Sequence, residues 1–334
     1  IFHNFITFKL LKRFIKLKEK DLDHYIHKFS KLRRDNKNGG APHKPILLLS
    51  LIEAYDDNLY NTNEVFIEPE LVSNFKKNWS QLVETNHHPI FALPFYHMRT
   101  EGFWKLIPNQ GFEKLITSGA SLKSSFNTLK SAIYCAEIDK ELFKILQVDE
   151  NRKLIKILLL DHYFSNTKAL YKKDTHEDES FLFEDETKYF QNLKHLQENL
   201  DKNSFEENIY VRSGIFKREV PKLYGYSCAI SEMKVASKTN ASLVDACHIV
   251  PFSLSNDDTV KNGFTLCPNL HRAFDRGLIF INENYKVEIN PVFVENENSN
   301  YNIKQFEGKQ INLPDNPSYH PKIENFLKHK QRFN

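Results

Sequence analysis

The sequence has no run of about 18 consecutive apolar residues, the length a helix needs to cross a bilayer, so no membrane-spanning helix is expected. Cysteine is scarce: four in 334 residues, at 135, 228, 247 and 267, with no Cys-x-x-Cys pair. That excludes a disulfide-built framework, leaves no structural zinc to expect, and points to a reducing compartment. Charge of one sign is not in large excess either; the formal net charge is +3, so no global field draws in a polyanion. Internal repeats and low-complexity tracts are absent. Only two methionines occur, but 27 phenylalanines are enough to build cores without them.

What is there suits a folded protein, with 40% apolar and 13% aromatic residues, and the length predicts two domains. The charges are unevenly spread. Residues 1–50 hold twelve Lys and Arg against four Asp and Glu, whereas 171–210 hold five against eleven. Residues 1–20 form a basic leader whose apolar core is interrupted by Lys9, Lys12 and Arg13 before a signal peptide develops. It reads as a partner-packed or frayed first helix, or as a basic amphipathic segment meeting DNA or a membrane surface.

Residues 21–164 alternate apolar and polar positions densely. Helices are predicted at 21–34, from Pro45 through "PILLLSLIEAYDD", and over "EPELVSNFKKNWSQLVE", where Leu71, Phe75, Trp79 and Leu82 share one stripe. "HHPIFALPFYHMRTEGFWKLIP" reads as two extended segments joined by a turn at Thr100, Glu101 and Gly102, and helices at about 121–132 and 139–164 close the unit. Residues 165–207 are acidic and thinly apolar, which reads as a linker with one surface helix at 187–199. A second ordered unit, 208–334, follows.

That second unit contains "DACHIVPFSLSNDDTVKNGFTLCPNLHRAFDRG", residues 245–277. A short strand ends at Pro251, a polar loop follows, and a helix stops at Gly277. A strand, loop and helix around one cation suit phosphodiester hydrolysis. A neutral imidazole is a good base toward water near pH 7, and a divalent metal balances crowded phosphate charge. In this arrangement His248 is the general base, Asn262 holds the loop and orients that imidazole by hydrogen bonding, and His271 binds the metal. Asp245 is an oxygen ligand of the kind Mg²⁺ or Mn²⁺ prefers, and Asp275, four residues after His271 on the same helix face, is a second candidate. The bland alternative is a strand and helix that merely carry two histidines; the flanking Asp245, Pro251, Asn262-Gly263, Phe274-Asp275 and Gly277 outweigh it. Cys228 and Cys267 are expected to be packing thiols.

The motif "DACHIVPFS…NGFTLCPNLHRAFDRGLI" resembles the HNH endonuclease domain of modification-dependent restriction enzymes over roughly residues 210–285. It departs from the usual pattern in having cysteine at 247, where alanine is common, and in having no acidic residue directly beside the base. The resemblance implies a ββα-metal nuclease with one divalent ion.

In the first unit, "GGAPHKPILLLSL" places His43 and Lys44 ahead of a helix N-terminus, where unpaired N–H groups attract anions. On these residues alone an anion site and a plain proline-started helix with solvated neighbours stand level. "APHKPILLL" together with "LPFYHMRTEGFW" resembles the amino-terminal sulfur-binding domain of phosphorothioate-dependent HNH restriction endonucleases, over about residues 24–164. The resemblance implies an apolar cup for sulfur made by Leu93 and Pro94, with Phe95 or Tyr96 as walls, and DNA-backbone contacts from His43 and Lys44. Arg33, Arg34, Arg99 and Lys123 are further candidate phosphate partners. Such a cup rejects oxygen more than sulfur, because burying an unpaired phosphate oxygen costs more desolvation energy.

The expectation is therefore an α+β chain: a mainly helical sulfur-binding-like domain with a small β-hairpin, an acidic linker, and a carboxy-terminal ββα-metal HNH domain. It would act in the prokaryotic cytoplasm on phosphorothioated double-stranded DNA, as a dimer or by two successive nicks. The rivals are an HNH enzyme reading methyl- or hydroxymethylcytosine, a non-catalytic regulator that binds modified DNA, and an RNA-cleaving toxin.

Overall fold

The computed structural model describes residues 21–118, 122–123, 125–172, 179–235, 242–296 and 301–333. The expected leader at 1–20 lies outside them. Two compact units are present, bounded as Ile1–Thr175 with Leu200–Val211, and His176–Asn199 with Arg212–Asn334. No described helix is long and apolar enough to cross a membrane.

The first unit begins with α1 (21–30) and α2 (His43–Asp56). Every residue of α2 from Lys44 to Tyr55 is buried, as expected of a helix apolar on all sides. Its two internal polar groups are satisfied: the Ser50 hydroxyl donates to the Ile46 carbonyl, and Glu53 accepts from Asn78 and Tyr171. A short strand β1 (Glu64–Val65) leads to α3 (Pro69–Leu82), whose Leu71, Phe75, Trp79 and Leu82 are all buried. The chain continues through α4 (Ala92–His97), β2 (Trp104–Pro108), α5 (Glu113–Ser118), α6 (Phe126–Ala132), β3 (Ile133–Ile138), α7 (Lys140–Leu146) and α8 (Asp149–Tyr163). The strands form one antiparallel sheet in the order β1-β3-β2.

Three expectations for this unit need correction. The helix after Gly40 starts at His43, not Pro45, so His43 and Lys44 lie in its first turn. The stretch expected as two extended segments is helix α4, a single 3₁₀ turn at Met98–Glu101, and then one strand. Phe91, Phe95 and Met98 are fully buried at helical spacing, and Pro94 is tolerated because first-turn N–H groups need no helical partner. Gly102, in the left-handed region (φ 81°), makes the turn into β2. Finally, the helix expected over 139–164 is broken at Val148, whose backbone is extended, and β3 occupies the stretch between the two expected helices.

The second unit takes in α9 (Glu186–Asn199) and the later part of α10 (Lys202–Leu223), a helix that begins in the first unit. Residues 165–207 are thus not the open segment expected: Thr167, Phe181, Leu182, Tyr189, Leu193 and Glu207 are buried. On α9 the buried Tyr189 and Leu193 stand one helical turn apart, a stripe that average hydropathy conceals. Then follow β4 (Asp245–His248), α11 (Phe252–Ser255), β5 (Gly263–Leu266), α12 (Pro268–Asp275), β6 (Ile279–Ile281), β7 (Val287–Ile289) and α13 (Ile323–Gln331). β4 and β5 form an antiparallel pair with His248 opposite Gly263, and β6 pairs with β7. Gly277 ends α12 in the left-handed region (φ 65°), with Leu278 N–H donating back to the Ala273 carbonyl.

Candidate active site

Strand alternation puts Asp245 and Cys247 on one face of β4 and His248 on the other. On α12, His271 and Asp275 are one turn apart and therefore neighbours. The His271 Nδ1 lies 3.4 Å from an Asp245 carboxylate oxygen, and its Nε2 lies 3.6 Å from one of Asp275. Cys247 joins them: its sulfur, a His271 ring nitrogen and an Asp275 oxygen all lie within 4.8 Å of one another. The thiol is fully buried, and burial first, then the Asp275 and Asp245 charges, push its pKa well above the ordinary thiol range. Without a metal the thiol is thus held in its protonated form, and an ion bound beside it would have to displace that proton for sulfur to become a ligand. The remaining donors, one imidazole and two half-exposed carboxylates, fit a hard or borderline divalent cation.

His248 has a different setting. Its ring lies flat on Phe216, from α10, with centroids 4.0 Å apart and planes 7° from parallel. Its Nε2 is 2.8 Å from an oxygen of Asp258, a side chain with no solvent exposure in the loop after α11. The backbone N–H of Asp258 donates in turn to the Tyr189 hydroxyl on α9. Gly263 makes room for this packing, since a Cβ there would stand 2.7 Å from the Phe216 ring.

The Asn262 side chain hydrogen-bonds to the loop, and none of these bonds reaches the imidazole. Its carbonyl oxygen accepts from Val250 N–H, and its amide donates to the carbonyls of Val250 and Asp257, at 2.9 to 3.0 Å. The bond to His248 comes from Asp258 instead. Sequence reading missed Asp258 and Phe216; the consecutive acids of "SNDD" were the one available signal. Cys228 and Cys267 hydrogen-bond to each other beside Ser231.

In the first unit, Arg33, Arg34, His43, Lys44, Leu93 and Pro94 line one cavity of about 630 Å³, with His87, His97 and Thr100 also in its wall. The other three residues expected to meet DNA lie off this lining. Tyr96 is buried with its hydroxyl donating to the Ile116 carbonyl, Arg99 lies against the Tyr96 ring and donates to its hydroxyl at 2.6 Å, and Lys123 is exposed.

The electrostatics of this wall differ from a basic pair at a helix start. The Lys44 ammonium is buried in an ion pair with Glu101 and also donates to Thr100 at 3.0 Å, so its charge is compensated internally. Burial, assisted by nearby His87, His88 and His97, drives the His43 pKa down to about 4 despite its hydrogen bond to the His88 carbonyl. A carbonyl only accepts, so His43 donates through Nε2 and is neutral at pH 7. The cationic side chains of the wall are Arg33 and Arg34, the latter stacked on Tyr163 at 4.4 Å.

Residues 228–282 match the HNH_2 family model, described as HNH endonuclease, and this span contains β4, β5 and α12 with both histidines. No match was found among curated proteins. Among solved structures the chain is similar to a "Modification dependent TagI restriction endonuclease", at 19% identity and a TM-score of 0.28, over 36% of this chain and 38% of that one. Residues 228–282 thus carry an HNH endonuclease domain, which spans β4, β5 and α12.

Proposed function

We propose that the protein is a modification-dependent DNA endonuclease whose first unit reads a phosphorothioate linkage and whose second unit cuts nearby. The observation that carries the nuclease half is that the HNH-matched span holds both His248, at the end of β4, and the His271–carboxylate cluster beside that strand. In this reading His248 takes a proton from the attacking water. His271 and Asp275, with Asp245 beside them, would hold one Mg²⁺ or Mn²⁺. When bound, that ion supplies Lewis-acid stabilisation of the charge on the phosphate and leaving oxygen. Asn262 keeps the 250–257 loop closed, so the imidazole meets a preformed surface.

Sulfur recognition is supported by the cavity. Leu93 and Pro94 give it an apolar wall, Lys44 is neutralised by Glu101, and His43 is neutral, so a soft, weakly hydrogen-bonding group is accepted better than a phosphate oxygen. A base-reading pocket would need aromatic faces for the extruded base, and no Phe, Tyr or Trp stands among the described lining residues. Arg33 and Arg34 would grip the flanking backbone while the cup discriminates. Cutting both strands with one active site per chain requires two copies or two successive nicks.

The test is cleavage of phosphorothioate-modified and unmodified plasmid with Mg²⁺, with Mn²⁺ and with chelator. Cutting of the modified plasmid alone, abolished by chelator and by His248→Ala while that variant still binds DNA, is the expected result. Equal cutting of both plasmids would reject the sulfur reading and leave the nuclease assignment standing.

A further inference from the structure

We propose that Asp258 is the positioning residue for His248, and that it makes Nδ1, not Nε2, the nitrogen that removes the proton from water. The inference rests on the reading of His248 as the general base and specifies how that base is set up. An ionised carboxylate can only accept hydrogen bonds, so the 2.8 Å contact requires the imidazole to donate through Nε2. The neutral ring then has its lone pair on Nδ1.

Asp258 is itself fixed. It is fully buried, and its backbone N–H is tied to the Tyr189 hydroxyl at 3.1 Å, with that ring fully buried too. Its second carboxylate oxygen is buried with no partner among the described residues, an arrangement unfavourable for folding alone and one an apolar side chain would avoid. That negative charge faces the imidazole and stabilises the imidazolium formed during the reaction. Phe216 completes the device: stacking at 4.0 Å and 7° fixes the ring plane, so the Nε2–Asp258 bond also sets the direction in which Nδ1 points.

The step balances without further reagents. Nδ1 takes one proton of the attacking water, the remaining hydroxide forms the new bond to phosphorus, and the bond from phosphorus to the leaving oxygen breaks. Solvent protonates that oxygen, and the imidazolium returns its proton to solvent.

The test uses the full chain with selectively ¹⁵N-labelled histidine, His248 being assigned by the signal missing from His248→Ala. Long-range ¹H–¹⁵N spectra report the tautomer directly, and turnover of phosphorothioate plasmid with Mn²⁺ reports the chemistry. Expected are a protonated Nε2 and bare Nδ1 in the wild type. In the isosteric Asp258→Asn, loss of the single tautomer should accompany a roughly 10- to 100-fold fall in kcat at unchanged KM and unchanged melting temperature. Wild-type kcat in Asp258→Asn, or a protonated Nδ1 in the wild type, overturns the role of Asp258 while leaving His248 as base. Wild-type cleavage by His248→Ala overturns the base assignment itself.

Discussion

His271 has a carboxylate at each ring nitrogen, and only one nitrogen can serve a given metal ion, so the two aspartates are unequal partners. Asp275 shares the tight donor group with His271, whereas Asp245 approaches the other nitrogen. His271→Ala is therefore expected to remove Mn²⁺ binding, and Asp275→Asn to weaken it by about 10- to 100-fold, more than Asp245→Asn does. Calorimetric titration of each variant with Mn²⁺ checks the order, and equal weakening by both aspartate changes would contradict it. Gly263 answers to a different constraint, the ring of Phe216 lying where its Cβ would be. Gly263→Ala should cost about 1–3 kcal/mol by overpacking and slow cleavage by tilting Phe216 away from His248, read from urea midpoints and turnover.

At the scale of elements, the Asn262 amide ties together several backbone groups of the loop between β4 and β5. Asn262→Ala leaves the Val250 N–H and the Asp257 carbonyl to find new partners, while the Val250 carbonyl keeps the Ser255 hydroxyl, and buried groups left unpaired cost about 1–3 kcal/mol each. The variant should melt lower and lose Asp258 from its contact with His248, seen as reduced amide-exchange protection across 250–262. α4 shows the converse, an element whose identity local pattern obscured. "FALPFYHM" alternates well enough for a strand, yet Phe91, Phe95 and Met98 enter the core from one helical face. Its helical form is what turns Leu93 and Pro94 toward the cavity wall.

Across the whole molecule, besides His97, whose pKa burial also lowers, two described histidines are kept neutral by burial, one in each unit: His43 in the first, and His329 in the second, stacked on Phe274 and donating to its carbonyl. Both have folded pKa values pushed down to about 4 from the ordinary 6.5. Between those values the unfolded chain binds more protons than the folded one, so stability falls as pH is lowered through that window and is fully present above it. Thermal melts at pH 7.5 and pH 5 should show both units destabilised at the lower pH; His43→Gln should flatten the dependence of the first unit only. In the cavity proposed to read DNA, the cationic side chains of the wall not paired within it are Arg33 and Arg34, since Lys44 is paired with Glu101. Arg34→Ala is expected to reduce the slope of log affinity against log salt by about 1, and an unchanged slope would remove Arg34 from the phosphate contacts.

The amino-acid sequence by itself determined the nuclease motif, because its spacing maps directly onto local geometry. A strand of period two separates Asp245 from His248, one helical turn joins His271 to Asp275, and a glycine at 277 stops the helix. It also determined the buried α2 and the apolar stripe of α3. Only the tertiary structure decided what surrounds these groups. Asp258 reaches His248 through a loop ten residues on, Phe216 arrives from an earlier helix, and Lys44 meets Glu101 across 57 residues. Periodicity tells which face a residue takes, but not which distant side chain will neutralise or bury it. Charge, tautomer and burial at both sites were therefore set when sequence-distant segments closed on one another.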